Sequence, residues 1–342
     1  MSTEPALRPF IDRLGPAPVK AGFSQPDYWV WGGHPVLGED GRYHLFVARW
    51  PKQRPFFKGY VVSSEVVRAV ADTPVGPYEF REVVLPPRGA GFWDGRMTHN
   101  PTVRRYGDRL LLFYIGATFE GPVPTAEDLL RRDCEIPDQT YATIRIGMAT
   151  ADSVFGPWER REAPILLPRP GKWDGTVVTN PAPCVCEDGS ILLYYRSNTP
   201  DGLRIGLARA KDPDSPFLRV RDDPVLQLHG RAFVEDPYVW QTGSGYQMLA
   251  KDMTGEITGE LNAGVHLLSG DAVTWEPAPQ PRAYSRRVCW DDGTVTEQGH
   301  LERPQLLLEG GEPAYLFAAT SDGSPGQWDD LSRSWNMVIP LI

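Results

Sequence analysis

Apolar residues in this chain gather in short runs, Leu110–Ile115 and Ile191–Tyr195 among them, with no sustained helical period. Runs of five or six residues bounded by Gly and Pro predict β-strands. The runs also follow a repeated order. An X-Pro pair opens a strand-like stretch, a Gly follows six to eight residues after the Pro, and a second apolar run comes next. The pairs are His34-Pro35, Asn100-Pro101, Asn180-Pro181, Asp236-Pro237 and Arg303-Pro304, and the glycines are Gly41, Gly107, Gly189, Gly245 and Gly311. Third strands end in a Gly-Pro-aromatic or related turn, as in Gly76-Pro77-Tyr78, Gly156-Pro157-Trp158 and Ser215-Pro216-Phe217.

Each unit therefore reads as three or four antiparallel strands. Successive X-Pro pairs stand 66, 80, 56 and 67 residues apart, too far for a hairpin and right for a four-stranded blade. The expected fold is all-β, a five-bladed β-propeller forming one domain over residues 1–342, with inner strands starting near 34, 100, 180, 236 and 303. The run Trp335–Leu341 should complete the fifth blade, with the first twenty or so residues pairing with it or covering it. One segment breaks the rhythm: Thr125 followed by Asp128 is a helix-start signature and predicts a short helical insertion in blade two.

Composition narrows the function. The net charge of −9 argues against a nucleic-acid partner, since phosphate binding needs concentrated Lys and Arg. No apolar stretch is long enough to cross a bilayer, so no membrane is expected. Met1-Ser2-Thr3-Glu4 lacks the basic-then-apolar order of a secretory signal. Four cysteines without metal-ligand spacing read as reduced thiols, and the expected location is cytoplasmic.

Inner strands of a propeller line its central channel, so residues just before each Pro should converge on one mouth. They are Gly33-His34, His99-Asn100, Thr179-Asn180, Glu235-Asp236 and Arg303 with Glu302. Purely structural positions would be alike in all copies; these carry acids, amides, an imidazole and a guanidinium. Phe92-Trp93-Asp94-Gly95 and Lys172-Trp173-Asp174-Gly175 precede two of the pairs and offer either a carboxylate at the mouth or a structural Asp-Gly turn fixed by a packed Trp. Trp29, Trp31, Trp50 and Trp240 are the aromatic candidates. Flat rings beside carboxylates suit a sugar, whose C–H face stacks while its hydroxyls bond polar groups.

On these motifs the chain resembles the five-bladed β-propeller glycoside hydrolases, the family 43 arabinosidases and xylosidases and their relatives acting on fructans or β-mannosides. Val234-Glu235-Asp236-Pro237 and Glu302-Arg303-Pro304 match, in order and one blade apart, that family's pKa-tuning Asp and acid Glu. The resemblance implies Asp236 and Glu302 in those roles. Where the family has its base Asp this chain has Asn100, so the base role passes to Asp94, with Asp174 and Asp27 as substitutes. Trp31, His34, Asn100, Asp174, Asn180, Glu235 and Arg303 would bind substrate, an oligosaccharide or glycoside such as an arabinofuranoside, in carbohydrate breakdown. Glu235 and Asp236 exchange roles if strand alternation turns Glu235 inward. No cofactor is expected to be required; His34, His99 and His300 could hold a structural ion in the channel. A glycoside phosphorylase using Arg196 or Arg49 for phosphate, and a non-catalytic sugar-binding propeller, are the alternatives.

Overall fold

The computed structural model describes residues 7–226 and 233–342. Among them five antiparallel sheets form the blades, following one another along the chain as up-and-down meanders, and a two-stranded hairpin, Arg287–Cys289 with Val295–Glu297, lies between the fourth and fifth. Blade one is built from Tyr28–Leu37, Tyr43–Pro51, Glu65–Ala71 and Glu79–Leu85. Blade two uses Met97–Tyr106, Arg109–Ala117, Arg145–Ala151 and Glu159–Arg160, and blade three Thr179–Val185, Ile191–Thr199, Gly202–Ala210 and Leu218–Arg219. Blade four comprises Val234–Thr242, Gly245–Asp252, Gly264–Ser269 and Glu276–Tyr284. Blade five has His300–Glu309, Glu312–Ser321 and Ser334–Pro340. Among the described residues no helix is long and apolar enough to cross a membrane.

The last blade lacks a fourth strand of its own, and the N-terminal segment supplies its edge. Phe23 and Asn336 exchange backbone hydrogen bonds at 2.9 Å in both directions, and Gly15 N–H donates to the Pro340 carbonyl at 2.8 Å. Phe23 is buried with Val338 and Phe317, while Phe10 packs against Trp240 and His266 of blade four. Segments near the two ends of the chain thus meet at blade five through isolated bridges, which ties the last blade back to the start of the ring.

Among the described residues three α-helices interrupt the meanders. The expected one, α2 (Ala126–Leu130), carries a reciprocal capping box between Thr125 and Asp128. A second blade-two helix, α3 (Ile136–Ala142), follows it. The helix α1 (Phe56–Ser63), between the second and third strands of blade one, was not expected. Its segment Phe56-Phe57-Lys58-Gly59-Tyr60-Val61-Val62 is as aromatic and β-branched as a strand, so composition alone disguises it. Pro55 stands just before its first turn, where a missing N–H costs nothing.

Register places one inner-strand residue differently from the sequence reading. A bulge interrupts every inner-strand pairing, between His99 and Thr102, Glu235 and Tyr238, and Glu302 and Gln305 in blades two, four and five. The residue at the bulge is left-handed in four blades: Asn100, Asn180, Asp236 and Arg303 have φ of 50, 50, 55 and 55°. In blade one the shift falls between Trp31 and His34, and the left-handed residue is Gly32, φ 64°. Gly32, not His34, is therefore the counterpart of the pre-proline residues. His34 lies two positions deeper, level with Thr102, Tyr238 and Gln305.

Candidate active site

The bulge explains how two consecutive residues of one strand can both face the channel mouth. Ordinary alternation would turn one of them away; the left-handed residue breaks alternation and turns both inward. Trp31, His99, Thr179, Glu235 and Glu302 form one ring of side chains. Asn100, Asn180, Asp236 and Arg303 form a second ring, and both line a cavity of about 290 Å³.

The second ring is a chain of side-chain hydrogen bonds linking four blades. Asn100 Nδ2 donates to Asn180 Oδ1 at 3.0 Å, and Asn180 Nδ2 donates to Asp236 Oδ1 at 2.6 Å. Arg303 donates to the same Asp236 oxygen at 2.9 Å. Blade one contributes backbone instead: Asn336 Nδ2 donates to the Gly32 carbonyl at 2.5 Å. All four side chains are buried, so this ring is the floor of the cavity rather than its rim.

Above the floor the walls differ. One side carries Trp31, Trp50, Phe56, Phe57, Tyr60 and Trp328. Phe56 is the hub: its ring sits 5.1 Å from Trp31, 4.9 Å from Trp50 and 5.1 Å from Trp328. Trp328 also stacks on His300 at 3.8 Å. His99 stacks on Tyr60 at 4.7 Å, and its Nδ1 meets the Ser64 hydroxyl at 2.8 Å. Burial, reinforced by the Arg303 charge, takes His99 down to about 3; burial and the Lys251 charge do the same to His300. Both imidazoles are neutral donors or acceptors at physiological pH.

The opposite side is charged. Arg196 is the register partner of Thr179, and Lys251 the partner of Glu235. Arg196 donates to Glu235 at 2.6 Å and to the Tyr141 hydroxyl at 2.9 Å, so α3 is tied to the site. Lys251 Nζ donates to Glu302 and lies 3.9 Å from Glu235. Burial pushes the Glu302 carboxyl up to about 7; Lys251 pulls against it, while the negative charges of Glu235 and Asp236 push with it. Three acids and three cations share this wall and floor. The two glutamates differ in environment: Glu235 accepts from Arg196 and is the more exposed, whereas Glu302 is buried and, among the described residues, Lys251 is the one cation paired with it.

Several expected site residues lie elsewhere. Asp94 is fully buried away from the cavity, and its oxygens accept from Arg88, from the Tyr114 hydroxyl at 2.7 Å and from Arg160 at 3.2 Å. Its oxygens are engaged by these donors and neither faces the mouth. Asp174 repeats this arrangement one blade on, with Arg169 at 2.9 Å, the Tyr195 hydroxyl at 2.9 Å and Arg219 at 2.6 Å. Trp93 and Trp173 stack on those same tyrosines, both at 5.9 Å. The Trp-Asp-Gly motif is thus a structural pin in blades two and three. Asp27 is exposed and outside the cavity. His34 stacks on Tyr238 and bonds Arg104 in a separate hollow further along the channel, because the blade-one bulge carries it past the mouth. Trp29 and Trp240 are core residues, and Arg49 is held by Glu65 between the rings of Tyr28 and Phe80.

The residues that sequence reasoning missed are Phe56, Tyr60, Tyr141, Lys251 and Trp328. A signal existed for Lys251: it closes the apolar run Met248-Leu249-Ala250 opposite Glu235, as Arg196 closes Leu192–Tyr195. The others arrive on insertions, whose placement no strand period reports. Among the described residues no group of three or more His, Cys, Asp or Glu is arranged to hold a metal.

No family model and no curated protein matches the chain. Solved structures do, and the likeness is one of fold. A family 117 glycoside hydrolase, Zg3597 of Zobellia galactanivorans, superposes with a TM-score of 0.66 at 16% identity, covering 96% of this chain and 90% of that one. The catalytic domain of a Coprinopsis cinerea GH62 α-L-arabinofuranosidase gives 0.62 at 12%, covering 98% of both. A thermostable family-43 glycoside hydrolase gives 0.60 at 13%, covering 93% and 91%.

Proposed function

We propose that the protein is a glycosidase whose proton donor is Glu302. The observation that carries the proposal is a pair of glutamates in unlike environments facing one cavity across from an aromatic wall. Two carboxyl groups whose surroundings push their proton affinities apart are the usual apparatus for protonating a leaving group while stabilising the sugar cation. Glu302, held up near neutrality by burial, donates to the glycosidic oxygen. Glu235, paired with Arg196 and lying beside Lys251, acts on the anomeric carbon. This replaces Asp94 in the second role.

Lys251 touches both carboxyl groups, which supports a closely spaced pair. Spacing of about 5–5.5 Å accompanies retention and about 6.5–9.5 Å inversion, so the product anomer reports which of the two this pair performs. Asp236, pinned by Asn180 and Arg303, holds the floor and adds negative charge beside Glu302, consistent with a tuning role. Trp31, Trp328 and Phe56 would stack on the sugar face, with Asn100 and His99 bonding hydroxyls. Hydrolysis is favoured over phosphorolysis because Arg196, Lys251 and Arg303 are each already engaged by a carboxylate, which among the described residues leaves no free cation in the cavity for phosphate.

Because one of the similar structures is an α-L-arabinofuranosidase, furanosides lead the substrate panel. Aryl furanosides and pyranosides of both anomers are assayed with wild type and Glu302→Gln. The expected result is turnover of one glycoside, with the anomer of the product read by NMR. The variant should lose about 10²–10⁴-fold on a poor leaving group and far less on an activated aryl one. Equal loss on both substrates would remove Glu302 from the donor role, and no turnover of any glycoside would overturn the reading.

A further inference from the structure

Between the two glutamates stands one cation. Lys251 is buried, and its register against Glu235 fixes where the side chain starts; from there its Nζ reaches Glu302 on the neighbouring blade. A buried ammonium is costly unless paired, so its place here needs a reason. The pairing is unequal. Glu235 has Arg196 as well, at 2.6 Å, whereas Glu302 has no other cation bonded to it among the described residues.

We infer that Lys251 is a positioning residue of this site: it fixes the Glu302 carboxyl in the cavity beside Glu235 and keeps the Glu302 proton exchangeable. The purpose rests on the glycosidase reading; the chemistry does not. The groups facing Glu302 from each packed element decide the balance. Glu235 and Asp236, on the blade-four inner strand, oppose its ionisation, and Arg303 on its own strand is spent on Asp236. His300, on the same strand, is neutral, and the buried Tyr284 hydroxyl from the outer strand of blade four adds no charge. Lys251 alone is left to favour the carboxylate. Without it, burial and two like charges would lock the proton onto Glu302, and a locked acid cannot donate, lose its proton and donate again.

The test replaces Lys251 by Met and by Gln, with Lys251→Arg as the conservative control. The Glu302 titration is read by NMR on protein labelled with ¹³C at glutamate carboxyls, the signal assigned by its absence in Glu302→Gln. The midpoint is expected to rise by about one pH unit or more in both neutral variants and to return in Lys251→Arg. On the substrate found above, the basic limb of kcat/KM should move the same way, since activity needs the protonated acid and is lost as pH rises through its pKa. The fall should be in kcat, about tenfold or more, with KM little changed. If Lys251→Met does not fold, Lys251→Gln, which keeps a hydrogen-bond donor, gives the same reading. A midpoint and limb unmoved in the neutral variants would overturn the inference while leaving the glycosidase intact. A wild type inactive on every glycoside would overturn the function, and the NMR titration would still decide the role of Lys251.

Discussion

Asp94 and Glu302 show how one residue type takes opposite jobs from its surroundings. Both are buried acids, yet Asp94 accepts from two guanidinium groups and a phenol, whereas Glu302 meets a single ammonium and two other acids. The first is tied into a structural cluster and the second faces the cavity. Asp94→Asn is therefore expected to cost stability, roughly 3–5 kcal/mol as for other buried pairs broken on one side, because Arg88 and Arg160 lose their counter-charge. Thermal or urea denaturation checks this, and kcat per folded molecule should stay close to wild type. A collapse of kcat with stability unchanged would return Asp94 to the chemistry. Sequence could not separate the two acids: an Asp beside Trp and Gly reads the same whether arginines from other strands reach it or not. Glu302 and Asp236 were legible because the repeat itself marked where strands begin.

At the scale of elements, the strands and the α2 insertion were readable, while α1 and α3 were not. Strand order, Gly turns and the α2 cap all follow from local pattern, since each is decided within a few residues. α1 escaped because its aromatic residues are explained only by Trp31, Trp50 and Trp328 packing around them. The blade-one offset escaped for a related reason. His34-Pro35 copies the letters of the repeat, while Gly32 copies its left-handed backbone. The aromatic wall gives a prediction of its own. Trp328 stacks on His300 and Phe56 from the connection between the last two strands and is only partly buried. Trp328→Ala should raise KM by about fivefold to tenfold, the value of a lost stacking contact of about 1–1.4 kcal/mol, with little change in melting temperature. An unchanged KM would take this wall out of substrate binding.

The whole molecule depends on closure. Blade five gains its edge from residues that precede blade one, so the first and last parts of the chain stabilise each other. Deleting residues 1–24 removes Phe10 from the blade-four core and Phe23 from the blade-five edge. The truncated chain should melt lower and be cut by protease first within Ser334–Pro340, the strand left exposed; identical melting and cleavage would show that the ring closes without this segment. Burying two large aromatic side chains is worth several kcal/mol, enough to matter against a typical total of about 5–15 kcal/mol.

The floor of the cavity constrains what such a ring can become. Asn100, Asn180, Asp236 and Arg303 each grip a neighbour from another blade, so no blade owns its part of the site. Outer strands can drift, lengthen or accept grafts one blade at a time. A blade swapped in from another propeller would bring a hand with no matching grasp on either side. New specificities should therefore arise through the loops above the floor, with the four-membered handshake inherited as a unit or lost as one.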